Sequence, residues 1–204
     1  EPIADASILE TSPRFSWPQV KGANGYQVTL LLRRDRLWSV KTVPNHLDYP
    51  SGENRLESGK RYRIRVEAVG TADAGNALEW EFSVAYPEDA EGLDELADSP
   101  QAALLALAAI RYEQLELIGE AIQQYERLAR LAPQEAAFHA ALADLYEKAG
   151  RVVEARKSRA RAIDLGFQFK GAQPDSDTGA QDQRNRKMFG LAQAAIADLQ
   201  RGKP

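Results

Sequence analysis

Residues 101–133 read QAALLALAAIRYEQLELIGEAIQQYERLARLAP and residues 135–167 read EAAFHAALADLYEKAGRVVEARKSRARAIDLGF. Laid over each other, a shift of 34 positions, they bring Ala109 onto Ala143, Tyr112 onto Tyr146 and Ala121 onto Ala155. Leu105 then falls on His139, and Ala108 on Leu142. Each tyrosine is followed nine residues later by its alanine. A period near 34 with apolar residues three or four apart is the length of a helix-turn-helix unit that buries its face only by stacking on a neighbour. The punctuation agrees. Ser99 and Pro100 supply an N-cap and a first-turn proline, Gly150 separates the helices of the second unit, and Gly166 ends its second helix. Two hairpins are therefore expected over 100–166.

Upstream the hydrophobic period is two. Tyr26, Val28, Leu30 and Leu32 alternate with Gln27, Thr29, Leu31 and Arg33. Tyr62, Ile64, Val66 and Ala68 alternate with Arg61, Arg63, Arg65 and Glu67, and Leu78, Trp80, Phe82 and Val84 with Glu79, Glu81 and Ser83. Each run is a half-buried strand with one apolar face. Arg14–Trp17 and Leu37–Thr42 are shorter candidates, with turn chemistry at 21–25, 49–54 and 71–76. Six or so short strands bury their faces by packing as two sheets, so residues 1–86 are expected to form a β-sandwich.

Charge marks the boundary. Residues 1–86 sum to 0, residues 87–100 to −6 and residues 101–204 to +2, within a net −4. The stretch PEDAEGLDELADSP between Pro87 and Pro100 is expected to be a solvated acidic linker over 87–99, with a short helix around Leu93 and Leu96 as the other reading. Residues 167–181, with Gly171, Pro174, Asp175, Ser176, Asp177 and Gly179, read as an exposed loop. A last helix follows from Gln181 to Leu199, its apolar set Phe189, Leu191, Ala192, Ala195, Ile196 and Leu199. Over 182–204 it would cap the apolar end that a helical stack leaves uncovered.

Two resemblances emerge from these residues. Trp17, the turn residues Pro18, Gly22 and Gly25, Tyr26-x-Val28, then Leu56-x-x-Gly59-x-x-Tyr62-x-Ile64-x-Val66-x-Ala68 resemble a fibronectin type III domain over about residues 10–86. That resemblance implies an immunoglobulin/fibronectin III-like sandwich in which Tyr62, opening the penultimate strand, makes a structural corner hydrogen bond. The 34-residue units, with Pro133 closing the first, resemble tetratricopeptide repeats (TPR). They depart from the pattern at Arg159, where the first unit has Tyr125, and at Phe167, which replaces the second proline. The expected fold class is thus multi-domain β + α, a sandwich followed by a TPR-like α-hairpin stack. This order is similar to secreted or periplasmic bacterial proteins, notably cyanobacterial ones, and implies an extracytoplasmic place in the periplasm or cell envelope. A chain that starts at Glu1 reads as a processed or partial form.

The inventory argues against an enzyme. There is no cysteine, one methionine and two histidines, His46 and His139, and neither a phosphate loop, a GxSxG elbow nor an HExxH motif. His139 reads as a partly buried packing residue and His46 as a solvent-exposed loop residue. Neither a cofactor nor a metal is implied. Arg151, Arg156, Lys157, Arg159 and Arg161 surround their helix at about 100° per residue and form no stripe, so no nucleic-acid face is expected. No apolar run approaches the roughly 20 residues a membrane span needs. Arg159 falls inside the apolar arc of its helix, where a guanidinium needs a carboxylate; Asp175, Asp177 or Asp182 is the expected partner.

The TPR-like register places the inner wall of the stack on the first helix of each unit. It consists of Ala103, Ala106, Ile110, Glu113 and Gln114, then Ala137, Ala140, Asp144, Glu147 and Lys148. Small side chains let another chain approach, and the acidic margin favours a basic or amphipathic protein or peptide. The places where carboxylate-clamping relatives carry lysine and asparagine hold alanine, isoleucine and aspartate. The expected function is a non-catalytic scaffold docking a partner in this groove; the oligomeric state stays open, a homo-oligomer included. The alternative is a carbohydrate- or envelope-binding sandwich using Trp17, Trp38 and Trp80, which read as core residues because Trp38 and Trp80 alternate with polar neighbours. Arg63 and Arg65 are expected to face Glu79 and Glu81 across neighbouring strands.

Overall fold

Alternation along three long strands builds the first half of the molecule. The computed structural model describes residues 2–70 and 77–169, and the chain divides into two compact units, Glu1–Asp89 and Ala90–Pro204. In the first, β3 (Gly25–Leu32) lies between β4 (Asp35–Thr42) and β6 (Arg61–Val69), and β7 (Ala77–Val84) lies beyond β6. These pairings are antiparallel. The short β1 (Ser7–Ile8) adds in parallel to β7, completing a mixed five-stranded sheet of order β1-β7-β6-β3-β4. A second sheet pairs β2 (Arg14–Ser16) with β5 (His46–Asp48), Phe15 opposite Leu47.

Register decides which residues become core. Val28 pairs with Val66 and Leu30 with Ile64, so one face of the large sheet is continuously apolar. Val28, Leu30, Ile64 and Phe82 are fully buried there. Phe15, from the small sheet, lies 5.8 Å from the Trp38 ring and 6.0 Å from that of Phe82, so both sheets contribute to one core. Tyr62 stacks on Phe82 at 5.8 Å, and its hydroxyl accepts a 2.8 Å hydrogen bond from the Glu57 N–H. The other face is polar. Arg63 pairs with Glu81 at 2.6 Å and Arg65 with Glu79 at 3.4 Å, as their cross-strand register dictates. Arg61 also reaches Glu81, at 2.7 Å, and Asp5. His46, expected in a loop, sits exposed on β5, because a three-residue strand is too short to show alternation.

The second unit is helical. After a short 3-10 turn at Pro87–Ala90 come α1 (Leu93–Asp98), α2 (Ala102–Gln114), α3 (Ile118–Leu131), α4 (Ala136–Lys148) and α5 (Val152–Asp164), each packed on the next. The linker expected over 87–99 is corrected here: α1 packs against α2. Its Leu93 and Ala97, one helical turn apart, are buried, while Asp94, Glu95 and Asp98 face outward, so carboxylates are solvated on one side of a packed helix. Tyr112 donates to Asp94 at 2.9 Å, and Arg127 donates to the Ala97 carbonyl. The helix start expected at Ser99 falls two residues later, at Gln101, whose N–H donates to the Ser99 hydroxyl at 3.1 Å. Residues 167–169 are irregular; the rest of the expected 167–181 loop and the expected 182–204 capping helix lie outside the described residues. Among the described residues no helix is long and apolar enough to cross a membrane.

Candidate functional site

The 34-residue repeat reappears in backbone geometry. At the α2–α3 turn Glu116 N–H donates to the Glu113 carbonyl (3.1 Å) and Leu117 N–H to Tyr112 (2.9 Å). At the α4–α5 turn Gly150 N–H donates to Glu147 (3.0 Å) and Arg151 N–H to Tyr146 (2.8 Å). Every residue is displaced by 34. Both turns close with a left-handed residue, Glu116 at φ 59° and Gly150 at φ 70°, the usual way a helix satisfies its last carbonyls.

Side chains repeat as well. Tyr146 donates to Glu126 of α3 at 2.6 Å, as Tyr112 does to Asp94 of α1. Burial, followed by the hydrogen bond to Glu126, pushes the Tyr146 phenol up to about 12; burial and Asp94 push Tyr112 up likewise. Thus α1, read as linker, stands to α2 as α3 stands to α4. The most telling pair is Tyr125 and Arg159. Tyr125 of α3 donates to Glu113 of α2 at 3.1 Å; 34 residues on, Arg159 of α5 reaches Glu147 of α4 at 2.8 Å and Asp144 at 3.7 Å. An arginine has taken over a tyrosine's contact with the equivalent glutamate. Among the described residues the acids beside Arg159 are these α4 carboxylates; Asp175, Asp177 and Asp182, the expected partners, lie outside the described residues. The Phe169 ring covers the same guanidinium at 4.6 Å.

These contacts form the margin of the predicted groove. Glu113 and Asp144 are half-buried, and Gln114, Glu147 and Lys148 are exposed. Ala103 is half-buried. The floor differs from an open one: Ala106, Ala137 and Ala140 are each 1 % exposed and Ile110 4 %. α2 and α4 carry apolar residues round most of their circumference, and a helix of that kind is buried on all sides. Sequence register alone placed these residues together but left their covering undetermined.

Other candidates resolve into structure. His139 is partly buried, its Nε2 3.2 Å from the Pro133 carbonyl. Trp17 and Trp38 are core residues at 4 % and 5 % exposure, and Trp80 is partly buried, so the tryptophans present no exposed platform. A cleft of about 260 Å³ lined by Tyr26, Lys41, Val43 and Val69 opens at one end of the large sheet, with Lys41 as its sole charged lining group. Among the described residues no group of three or more histidine, aspartate or glutamate side chains is placed to hold a metal ion. No protein-family model matches this chain, and no curated protein matches it.

Proposed function

We infer that the chain is a non-catalytic interaction scaffold, a fibronectin type III-like sandwich followed by a short TPR-like stack whose inner wall docks a basic, amphipathic segment of a protein partner outside the cytoplasm. The sandwich reading draws support from the Tyr62 hydroxyl bonded to the Glu57 backbone at the start of the penultimate strand. The stack reading draws support from turns that recur at 34 residues and from Tyr112 and Tyr146, 34 apart, each donating to a carboxylate of the preceding helix. One observation carries the function. α2 and α4 carry alanines at matching places, 103 with 137 and 106 with 140, and border them with Glu113, Asp144 and Glu147; Ala103 is half-buried and the other three are buried, so a partner meets the acidic border first. Methyl-sized side chains let a helix or strand come close, and carboxylates select cations at its edge.

The test is fluorescence anisotropy with a labelled 18-residue peptide that repeats leucine and lysine at helical spacing, against its glutamate counterpart. Binding of the lysine peptide is expected to weaken about three- to tenfold on Glu147→Lys and to fall with added salt. Equal binding of the glutamate peptide, or indifference to Glu147→Lys, would remove the docking reading.

A further inference from the structure

We propose that the acidic margin takes an arginine of the partner, and that Arg159 of this chain holds that arginine's place until the partner displaces it; this rests on the docking reading above. Three groups surround the Arg159 guanidinium. Glu147 of α4 lies 2.8 Å from it and Asp144 3.7 Å, and its central carbon sits over the Phe169 ring at 4.6 Å. Carboxylates combined with an aromatic ring suit a planar guanidinium better than a compact ammonium. Local chemistry puts the ring there. Gly166, left-handed at φ 87°, ends α5, and the Phe167 N–H donates to the Ala162 carbonyl at 2.9 Å, which turns the chain back. Phe167 then meets Phe169 edge to ring at 4.8 Å.

The equivalent position in the first unit explains why the exchange belongs to the second. Tyr125 is fully buried and donates to Glu113 at 3.1 Å, so a neutral hydroxyl sealed from water holds that acid. Arg159 instead keeps 34 % of its side chain exposed, beside Asp144 at 43 % and Glu147 at 55 %. Ion pairs this open to solvent are weakly held, because water screens them and two long side chains must be fixed. A partner's guanidinium would make the same contacts, leaving the rest of its docking surface to drive the exchange. Ala155 and Ala162 of α5 are buried, so the Arg159 stem starts from a packed helix face while its head reaches outward, and the head can swing without unpacking the helix. The other α5 cations are placed differently. Arg151 pairs with Glu154 at 2.9 Å, Arg161 donates to the Pro133 carbonyl at 3.3 Å, and Arg156 and Lys157 are exposed.

The test adds an arginine version of the 18-residue peptide to the anisotropy measurement on the full chain. Arg159→Gln empties the place, and Arg159→Met empties it while keeping an unbranched stem against α5 if the glutamine variant loses helix signal at 222 nm. Both are expected to tighten the arginine peptide about three- to tenfold. Arg156→Gln removes an equal charge about one helical turn away and should change binding less than about twofold. The parent should bind the arginine peptide more tightly than the lysine one, and Phe169→Leu should erase that preference. This last comparison keeps Arg159 in place, so it decides even if both substitutions at 159 disturb the helices.

Folded Arg159 variants that bind no better than the parent, while Glu147→Lys still weakens binding, would sink the displacement and spare the docking site. No gain at 159 together with indifference to Glu147→Lys removes both readings. An equal gain from Arg156→Gln would reduce the effect to net charge, and weaker binding on Arg159→Gln would make Arg159 part of the surface the partner binds; either overturns the proposal. Arginine and lysine peptides bound alike by the parent, or a preference that survives Phe169→Leu, overturns the choice of arginine.

Discussion

Gly150→Ala tests whether the two helical units are built on one turn. Gly150 and Glu116 hold equivalent places, both left-handed, with the same pair of hydrogen bonds. A Cβ at Gly150 meets nothing within 4 Å, so the substitution adds no clash and its cost is confined to the backbone. An L-residue in the left-handed region costs about 1–2 kcal/mol, and the lower entropy of an unfolded alanine chain offsets about 0.4–1 kcal/mol of it. The net destabilisation is about 1 kcal/mol, equivalent to about 4–8 °C in melting temperature for a unit of this size. Glu116→Gly reverses the sign, and the double variant should return close to the parent. Trp17, Trp38 and Trp80 all belong to the β unit, so tryptophan emission is the wrong probe. Circular dichroism at 222 nm follows the helices. A Gly150→Ala protein as stable as the parent, or a Glu116→Gly protein less stable, would refute the equivalence of the turns.

Two further outcomes are expected. Tyr62→Phe removes the acceptor for the Glu57 N–H and should destabilise the β unit by about 1 kcal/mol, read from tryptophan emission in urea; an unchanged midpoint would deny the hydroxyl a structural role. In alkali the helical unit should lose stability from about pH 10, where the unfolded tyrosines release their protons, up through the raised values of Tyr146, about 12, and Tyr112. The native state keeps the proton that Glu126 or Asp94 accepts in hydrogen bonding, so it binds more protons than the unfolded chain and stability falls as pH rises. Tyr146→Phe and Tyr112→Phe should flatten that slope, and ordinary tyrosinate absorbance near pH 10 from both residues would contradict it.

Long periodic segments were legible. Alternation along Tyr26–Leu32 and Tyr62–Ala68 sorts core from surface because the strands pair in the register that keeps Val28 beside Val66. The 34-residue offset anticipates both helix pairs and even the odd position, Arg159 for Tyr125. Short elements were not legible. β1 and β5 have two and three residues, below one full alternation. The β3–β4 hairpin turns through Arg33, left-handed at φ 58°, without the glycine or asparagine that usually announces such a turn. α1 hid behind six carboxylates because its packing rests on only Leu93 and Ala97.

Local chemistry is enough to set what each segment wants: alternation asks for a sheet, a repeated tyrosine and alanine ask for paired helices, and an arginine in an apolar arc asks for an acid. That Glu147 and Asp144 answer depends on where α4 lies beside α5. The covering of Ala106 and Ala140 is of the same kind. Burial is a property of whatever lies overhead, and residues far apart in the chain meet only after the whole unit has folded.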